Sequence, residues 1–171
     1  MIELAGGFDR LSRKGTDSVR VPWSAVLDWA PEVLVVMPCG YPLDTVQRHA
    51  EMLPALPGWA DLPAVRAGRV FAADADSYFA RPGPRLVEGL EMLAHFLHPE
   101  LFAWAGAPDA FVPLRTKACA RCDAAFLCRP APGCWCEGVP LPRGAAEQLC
   151  GVYDDCLCPR CLAPALAASI T

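Results

Sequence analysis

Residues 119–161 read CARCDAAFLCRPAPGCWCEGVPLPRGAAEQLCGVYDDCLCPRC and contain nine of the ten cysteines in the chain. Two Cys-x-x-Cys pairs, Cys119/Cys122 and Cys158/Cys161, stand at the two ends of this stretch. A Cys-x-x-Cys turn brings two thiolates to one tetrahedral ion, and two such turns complete a site of four sulfurs. The spacing therefore predicts a metal site that joins the two ends of the stretch.

The remaining cysteines provide a second set of four ligands. Residues two apart on an extended backbone point the same way, so each Cys-x-Cys pair can serve one ion or bridge two. We predict two zinc ions, and we expect both to be structural because closed four-sulfur sites leave no position for substrate or water. Cys150 is then not a ligand. The predicted ligands are Cys119, Cys122, Cys158 and Cys161 for the first ion, and Cys128, Cys134, Cys136 and Cys156 for the second.

Other uses of the cysteines remain open. They could pair as disulfides, share thiolates in a cluster, or bind another soft metal, including iron in an iron–sulfur cluster. Nine cysteines cannot all pair with one another, which weighs against a framework made only of disulfides. A stretch of about 45 residues with few large apolar side chains needs a cross-link to fold, and zinc is the favoured one.

Composition and charge narrow the classes of function. The chain has 171 residues, 54% of them hydrophobic, and a net charge of −4. The cysteine-rich stretch carries four arginines against five acidic residues, so no nucleic acid is expected as a partner. No apolar run reaches the ~18 residues that span a bilayer, so no direct membrane insertion is expected.

The first residues, 1–7, lack the basic flank and apolar stretch of a secretory signal. We therefore expect a cytoplasmic protein, in a reducing compartment where clustered cysteines serve as metal ligands. A periplasmic location is expected only if the chain is a fragment of a longer exported protein.

The first hundred residues alternate between strand and helix patterns. The branched run Val33–Met37 is typical of a strand buried on both faces of a parallel sheet, and Val70–Ala73 is expected to form another strand. Helices are expected over residues 23–30, 43–53 and 81–97, and a further short strand over residues 18–21. This order predicts an α/β fold with a partial open parallel sheet and crossover helices, followed by a small zinc-stapled cysteine-rich domain.

Four motifs in this part resemble the C-terminal lobe of cobalamin- and iron-siderophore-type substrate-binding proteins of ABC importers. They are VPWS at 21–24, APEVLVVMPCGY at 30–41, LPAVRAGRV at 62–70 and RPGPRLVEGL at 81–90. The resemblance covers about residues 1–102. It implies half of a class III periplasmic-binding-protein fold, a corrinoid such as cobalamin or another metal chelate as ligand, and a separate polypeptide that completes the cleft.

Two short segments are the candidate ligand walls. Cys39, Gly40 and Tyr41 follow the first buried strand, and ligands of open α/β sheets lie beyond the carboxyl ends of strands. Gly40 would permit close approach and Tyr41 would stack on a flat ligand; alternatively, Cys39 is a small buried residue in a tight turn.

The second wall consists of Tyr78, Phe79, Arg81 and Arg85. Both arginines lie near a helix start, where the helix dipole disfavours cations, so they need an anionic neighbour. Asp74 or Asp76 could supply it internally, or a carboxylate, amide or phosphate of a ligand could do so. The rings of Tyr78 and Phe79 would face that ligand.

The cysteine-rich stretch resembles the small bacterial CWC domain. The matching residues are CARC at 119–122, CWC at 134–136, LP at 141–142 and YDDCLCPRC at 153–161. The resemblance implies a metal-binding module without established chemistry.

Together these patterns predict an α/β lobe at 1–105, a linker at 106–116, a cysteine-rich domain at 117–163 and a tail at 164–171. The leading expectation is a non-enzymatic binding protein of corrinoid or metal-chelate uptake. The alternative is a zinc-dependent interaction or metal-handling module whose lobe is a truncated scaffold.

Overall fold

Helices and strands alternate through the α/β part of the chain. The computed structural model describes residues 1–128, 134–142 and 144–167. The elements of the first hundred residues are α1 Trp23–Trp29, β1 Leu34–Val36, α2 Leu43–Ala50, the 3-10 turns Leu53–Ala55 and Trp59–Asp61, α3 Pro63–Arg66, β2 Val70–Ala73, α4 Ala75–Tyr78 and α5 Arg85–Leu97.

The later part of the chain holds three strands and short helices. These elements are β3 Phe111–Pro113, β4 Arg115–Ala118, β5 Ala125–Cys128, the 3-10 turn Trp135–Gly138, α6 Ala145–Cys150 and α7 Pro159–Ala167. The predicted tail therefore begins inside α7, and its residues 168–171 lie outside the described part of the chain.

The first sheet is mixed, which corrects the expectation of a parallel sheet. Its order is β1-β2-β3, with β1 and β2 parallel as expected and β3 antiparallel to β2. The parallel pair needs a long crossover, which α2, the two 3-10 turns and α3 provide. The chain that leaves α5 has no second crossover, so it returns along the free edge of β2 in the opposite direction.

The predicted linker at 106–116 holds strand structure. It contains all of β3 and the first residues of β4, and Leu114 between them is only 2% exposed. Its apolar side chains decide this outcome, since Phe111 and Val112 pack on opposite faces of the first sheet. A second expectation also fails, because residues 18–21 are exposed and do not form a strand.

Both faces of the first sheet are covered by apolar side chains. Phe71 and Ala73 of β2 face one core cluster, which includes Phe96 of α5. Val70 and Ala72 face the other, which includes Trp59. This alternation follows from the two-residue period of a strand, and it explains why the strand sequence is continuously apolar.

The hairpin of β4 and β5 connects this fold to the cysteines. The two strands are antiparallel, with Arg115 opposite Cys128 and Ala118 opposite Ala125. Leu127 packs against the core around Trp59, whereas its neighbours Phe126 and Cys128 belong to a third cluster built from the cysteine-rich segment. One face of the hairpin thus lies on the α/β part, and the other carries the cysteines.

In the described ranges, every helix is too short or too polar to cross a bilayer.

Candidate metal centre

Four cysteine sulfurs lie close together between the hairpin and α7. The Sγ atoms of Cys119, Cys122, Cys158 and Cys161 all lie within 4.8 Å of one another. Cys119 and Cys158 are buried, Cys161 is half-buried and Cys122 is exposed. The Sγ atoms of Cys122 and Cys158 are 3.8 Å apart. A tetrahedral zinc site with Zn–S bonds of about 2.3 Å requires sulfurs roughly 3.8 Å apart, so this donor set fits the predicted ion.

Backbone hydrogen bonds hold the two ligand segments in place. The Asp123 N–H donates to the Cys119 carbonyl at 2.8 Å, and Asp123 adopts a left-handed conformation that closes the turn between β4 and β5. The N–H groups of Cys161 and Leu162 donate to the Cys158 carbonyl in the first turn of α7. The Ala120 N–H donates to the Cys156 carbonyl at 3.2 Å, which ties the two segments together.

The backbone also sets the charge of one ligand. Burial of the Cys119 thiol opposes ionisation, but N–H groups of Cys158, Arg121 and Cys122 outweigh it and lower the pKa of Cys119 to about 6. Hydrogen bonding to the Cys122 thiol, followed by burial, raises the pKa of Cys161 to about 12. Cys119 is therefore a ready thiolate near neutral pH, whereas Cys161 must lose a proton when a metal binds.

In the second predicted set of ligands, the sulfur atoms lie close together in pairs. The Cys134 Sγ lies 3.0 Å from the Cys136 Sγ and 4.0 Å from the Cys128 Sγ. Burial and the neighbouring sulfurs raise the pKa of Cys128 to about 12 and that of Cys136 to about 11. The Cys156 sulfur is one of the neighbours that raise both pKa values.

A lysine that the sequence patterns did not single out lies beside this second set. The Lys117 Nζ is 2.5 Å from Asp155 Oδ1 and 3.7 Å from Cys156 Sγ. The hydrogen bond to Asp155 raises the pKa of Lys117, and the same bond lowers the pKa of Asp155. Lys117 therefore places a positive charge near a predicted thiolate ligand.

All ten cysteines lie in the described part of the chain, and none of them forms a disulfide there. The spare cysteine of the sequence analysis, Cys150, is exposed at the end of α6.

The first candidate ligand wall lies on the surface. Cys39 and Gly40 are exposed, so the alternative of a buried Cys39 is incorrect. Tyr41 is 39% exposed, and its ring centroid lies 5.2 Å from that of His49. All three residues are therefore accessible at the surface.

The second candidate wall is partly inside the core, which corrects the expectation for Tyr78. This side chain is 6% exposed, packs edge-on against Trp104 and lies under the Arg85 guanidinium at 5.9 Å. Phe79 is a partly buried side chain packed against the same core. Arg81 lies 3.6 Å from Asp76, which is the internal anion considered from the sequence.

Comparisons with known proteins give one family match and two partial similarities. Residues 119–163 match the family described as "Cysteine-rich CWC". That match covers the segment that contains the four converging sulfurs.

Over 45 residues, the chain is 44% identical to "Uncharacterized ABC transporter substrate-binding lipoprotein YvrC" from Bacillus subtilis (strain 168). These 45 residues are 26% of this chain and 14% of that protein. A solved structure, "TroA-like Periplasmic Binding Protein FepB from Veillonella parvula", matches with a TM-score of 0.42 and 21% identity, over 59% of this chain and 33% of that one. The chain thus spans a third or less of each relative.

Proposed function

We propose that this chain is a non-enzymatic, zinc-dependent interaction or metal-handling module, in which the α/β part serves as a scaffold. The observation that carries the proposal is the meeting of four cysteine sulfurs within 4.8 Å. Two of these sulfurs come from the turn after β4 and two from the start of α7, so an ion between them would cross-link segments that are distant in sequence. The proposed location is a reducing compartment, where the thiols stay available to metal.

The ligand set determines what the ion would do. Bound zinc would supply four Zn–S bonds as cross-links and would offset part of the charge of the thiolates. Cys119 provides the first thiolate, since the surrounding N–H groups already stabilise its charge. With all four positions occupied by sulfur, no place remains for a substrate, which favours a structural role over a catalytic one.

Elemental analysis tests the proposal directly. Protein prepared without added metal should contain zinc, with one equivalent at Cys119, Cys122, Cys158 and Cys161. Removal of the metal by a chelator should make the segment after residue 118 sensitive to protease while residues 23–97 stay resistant. A native protein that is metal-free and still protease-resistant throughout would contradict the proposal.

Capture of a corrinoid or another metal chelate is the second candidate function. The similarity of 45 residues to a protein described as an ABC transporter substrate-binding lipoprotein favours it. In this proposal a separate polypeptide completes the cleft, and Cys39, Gly40, Tyr41, Phe79, Arg81 and Arg85 contribute to one wall. Only 6% of Tyr78 is exposed, so its ring offers little surface to such a ligand.

Ligand titration separates the two functions. Binding of cobalamin or haem would change the absorbance spectrum of the ligand and raise the melting temperature of the α/β part. If neither quantity changes while zinc removal loosens only the later segment, the second candidate is rejected and the scaffold proposal stands.

A further inference from the structure

Five cysteines line an open cavity in the cysteine-rich segment. The cavity has a volume of about 220 Å³. Its lining includes the cysteines Cys128, Cys134, Cys136, Cys150 and Cys156. Four of them are the second predicted ligand set, and Cys150 is the cysteine to which the sequence assigned no role.

Helix α6 brings Cys150 to this cavity. Ala146, Leu149 and Cys150 all line it, and residues three and four apart share one face of a helix. Cys150 is the last residue of α6 and is exposed, so it lies where the cavity meets solvent. The cavity is therefore lined by apolar side chains and by cysteines that range from the buried Cys128 and Cys134 to the exposed Cys150.

The arrangement of these sulfurs differs from that of the first set. In the described part of the chain, the group of thiols gathered within 4.8 Å is Cys119, Cys122, Cys158 and Cys161. In the second set, Cys134 stands between Cys136 at 3.0 Å and Cys128 at 4.0 Å. Five donors also exceed the four positions of a tetrahedral ion. Such a set offers several overlapping groups of two or three sulfurs.

Charge favours an ion of low coordination number in this cavity. Four thiolates around a divalent ion leave a net charge of −2 beside apolar walls, which is costly to bury. The Lys117 ammonium offsets part of this negative charge near Cys156, but the same ammonium is already hydrogen-bonded to Asp155. A monovalent soft ion bound by two thiolates leaves a net charge of only −1, and Cu(I) is a monovalent soft ion that thiolates bind.

We propose that the five-thiol cavity is an exchangeable soft-metal site that takes Cu(I), with Cys150 as the ligand at its entrance. Each thiol that binds the ion loses its proton to solvent, and no oxidation is involved. This inference deepens the proposed metal-handling function, but it does not require zinc at the first set.

An anaerobic titration with Cu(I), in competition with bathocuproine disulfonate, tests the proposal. We expect the wild-type protein to bind Cu(I), with the ultraviolet absorbance of Cu(I)–thiolate bonds, while retaining one equivalent of zinc. Cys150→Ser should weaken the affinity for copper at least about tenfold, because even outer contacts of a metal site are worth 10- to 100-fold. Cys39→Ser is the matched control, since Cys39 is also exposed but lies far along the chain, and it should leave the affinity unchanged.

Two outcomes would overturn the proposal. One is that Cys150→Ser binds copper as tightly as the wild type, with both showing the same circular dichroism. The other is that copper is bound only as the last equivalent of zinc leaves, which would place it at the first set. Absence of zinc from the purified protein would instead reject the zinc proposal, and the comparison of Cys150→Ser with Cys39→Ser would still decide the copper site.

Discussion

The Trp59 indole donates a hydrogen bond from Nε1 to the Thr116 hydroxyl at 2.9 Å. Trp59 is 1% exposed and belongs to the core beneath the first sheet. Thr116 lies in β4, three residues before the first metal-ligand candidate, Cys119. The α/β part is therefore joined to the β4–β5 hairpin, which leads into the cysteine-rich segment, by this polar contact as well as by the packing of Leu127.

Replacing Thr116 by valine should weaken this connection. Valine keeps the shape of threonine but leaves the buried Trp59 N–H without its acceptor, which typically costs about 1–3 kcal/mol. Urea unfolding of Thr116→Val should show that loss. Thr45→Val is the control, because the Thr45 hydroxyl accepts its hydrogen bond from Arg48 at the surface, and it should stay within about 0.5 kcal/mol of the wild type. Equal stabilities of the two variants would argue against an energetic role for the Trp59 contact.

Replacing Cys122 by serine should remove one ligand of the first site. We expect release of about one equivalent of zinc and greater protease sensitivity after residue 118, because three sulfurs no longer close the tetrahedron. The far-UV signal of the α/β part should be largely unchanged, since its two core clusters do not contain Cys122.

Cys39→Ser provides the control for Cys122→Ser in zinc content and proteolysis. If Cys122→Ser kept its full zinc content and its protease resistance, the assignment of Cys122 as a ligand would have to be abandoned.

Replacing Gly89 by alanine should destabilise the protein even though alanine favours helices. A Cβ at position 89 would lie 2.5 Å from the Tyr78 carbonyl oxygen and 3.1 Å from the Phe79 ring. The gain in helix propensity is at most about 1 kcal/mol, whereas displaced backbone typically costs about 1–3 kcal/mol. A lower midpoint of thermal unfolding would show this. Gly83→Ala is the control, because a Cβ at position 83 would meet nothing within 4 Å. If Gly89→Ala were at least as stable as the wild type, the close packing of α4 on α5 would be refuted.

Alkaline pH should destabilise the protein partly through Tyr78. Burial disfavours the phenolate and raises the pKa of Tyr78 above its usual value of 10.0. A raised folded-state pKa contributes stability that is fully present below pH ~10 and is lost as the pH rises through the folded-state pKa. The free energy of unfolding should therefore fall less steeply above pH ~10 in Tyr78→Phe than in the wild type. Tyr41→Phe should follow the wild type, and parallel curves for all three proteins would show that the Tyr78 phenol is accessible.

The sequence predicted those parts of the fold that depend on local pattern. The limits of β2, Val70–Ala73, match the predicted strand, and β1 lies within the predicted Val33–Met37. Strand β3 was missed because its three residues end in Pro113 and follow a region rich in alanine, glycine and proline. A proline is tolerated there because β3 is an edge strand, a fact that becomes visible only from the pairing of strands.

The candidate site shows the same division between local and distant information. Regular spacing was enough to select Cys119, Cys122, Cys158 and Cys161, which the structure brings together. Lys117 and Asp155 are 38 residues apart, and no local pattern relates them. The position of Cys150 beside the other thiols likewise depends on how α6 packs.

The edge strand β3 has a consequence for how such a gene could be recombined. A fragment that ended at residue 105 would lose the strand that seals one side of β2, together with Leu114 from the interior. The cysteine segment, in turn, would lose the surface on which Leu127 rests. Neither half can therefore be transferred alone. A recombined gene that placed the cysteine-rich segment after an unrelated domain would also have to include β3.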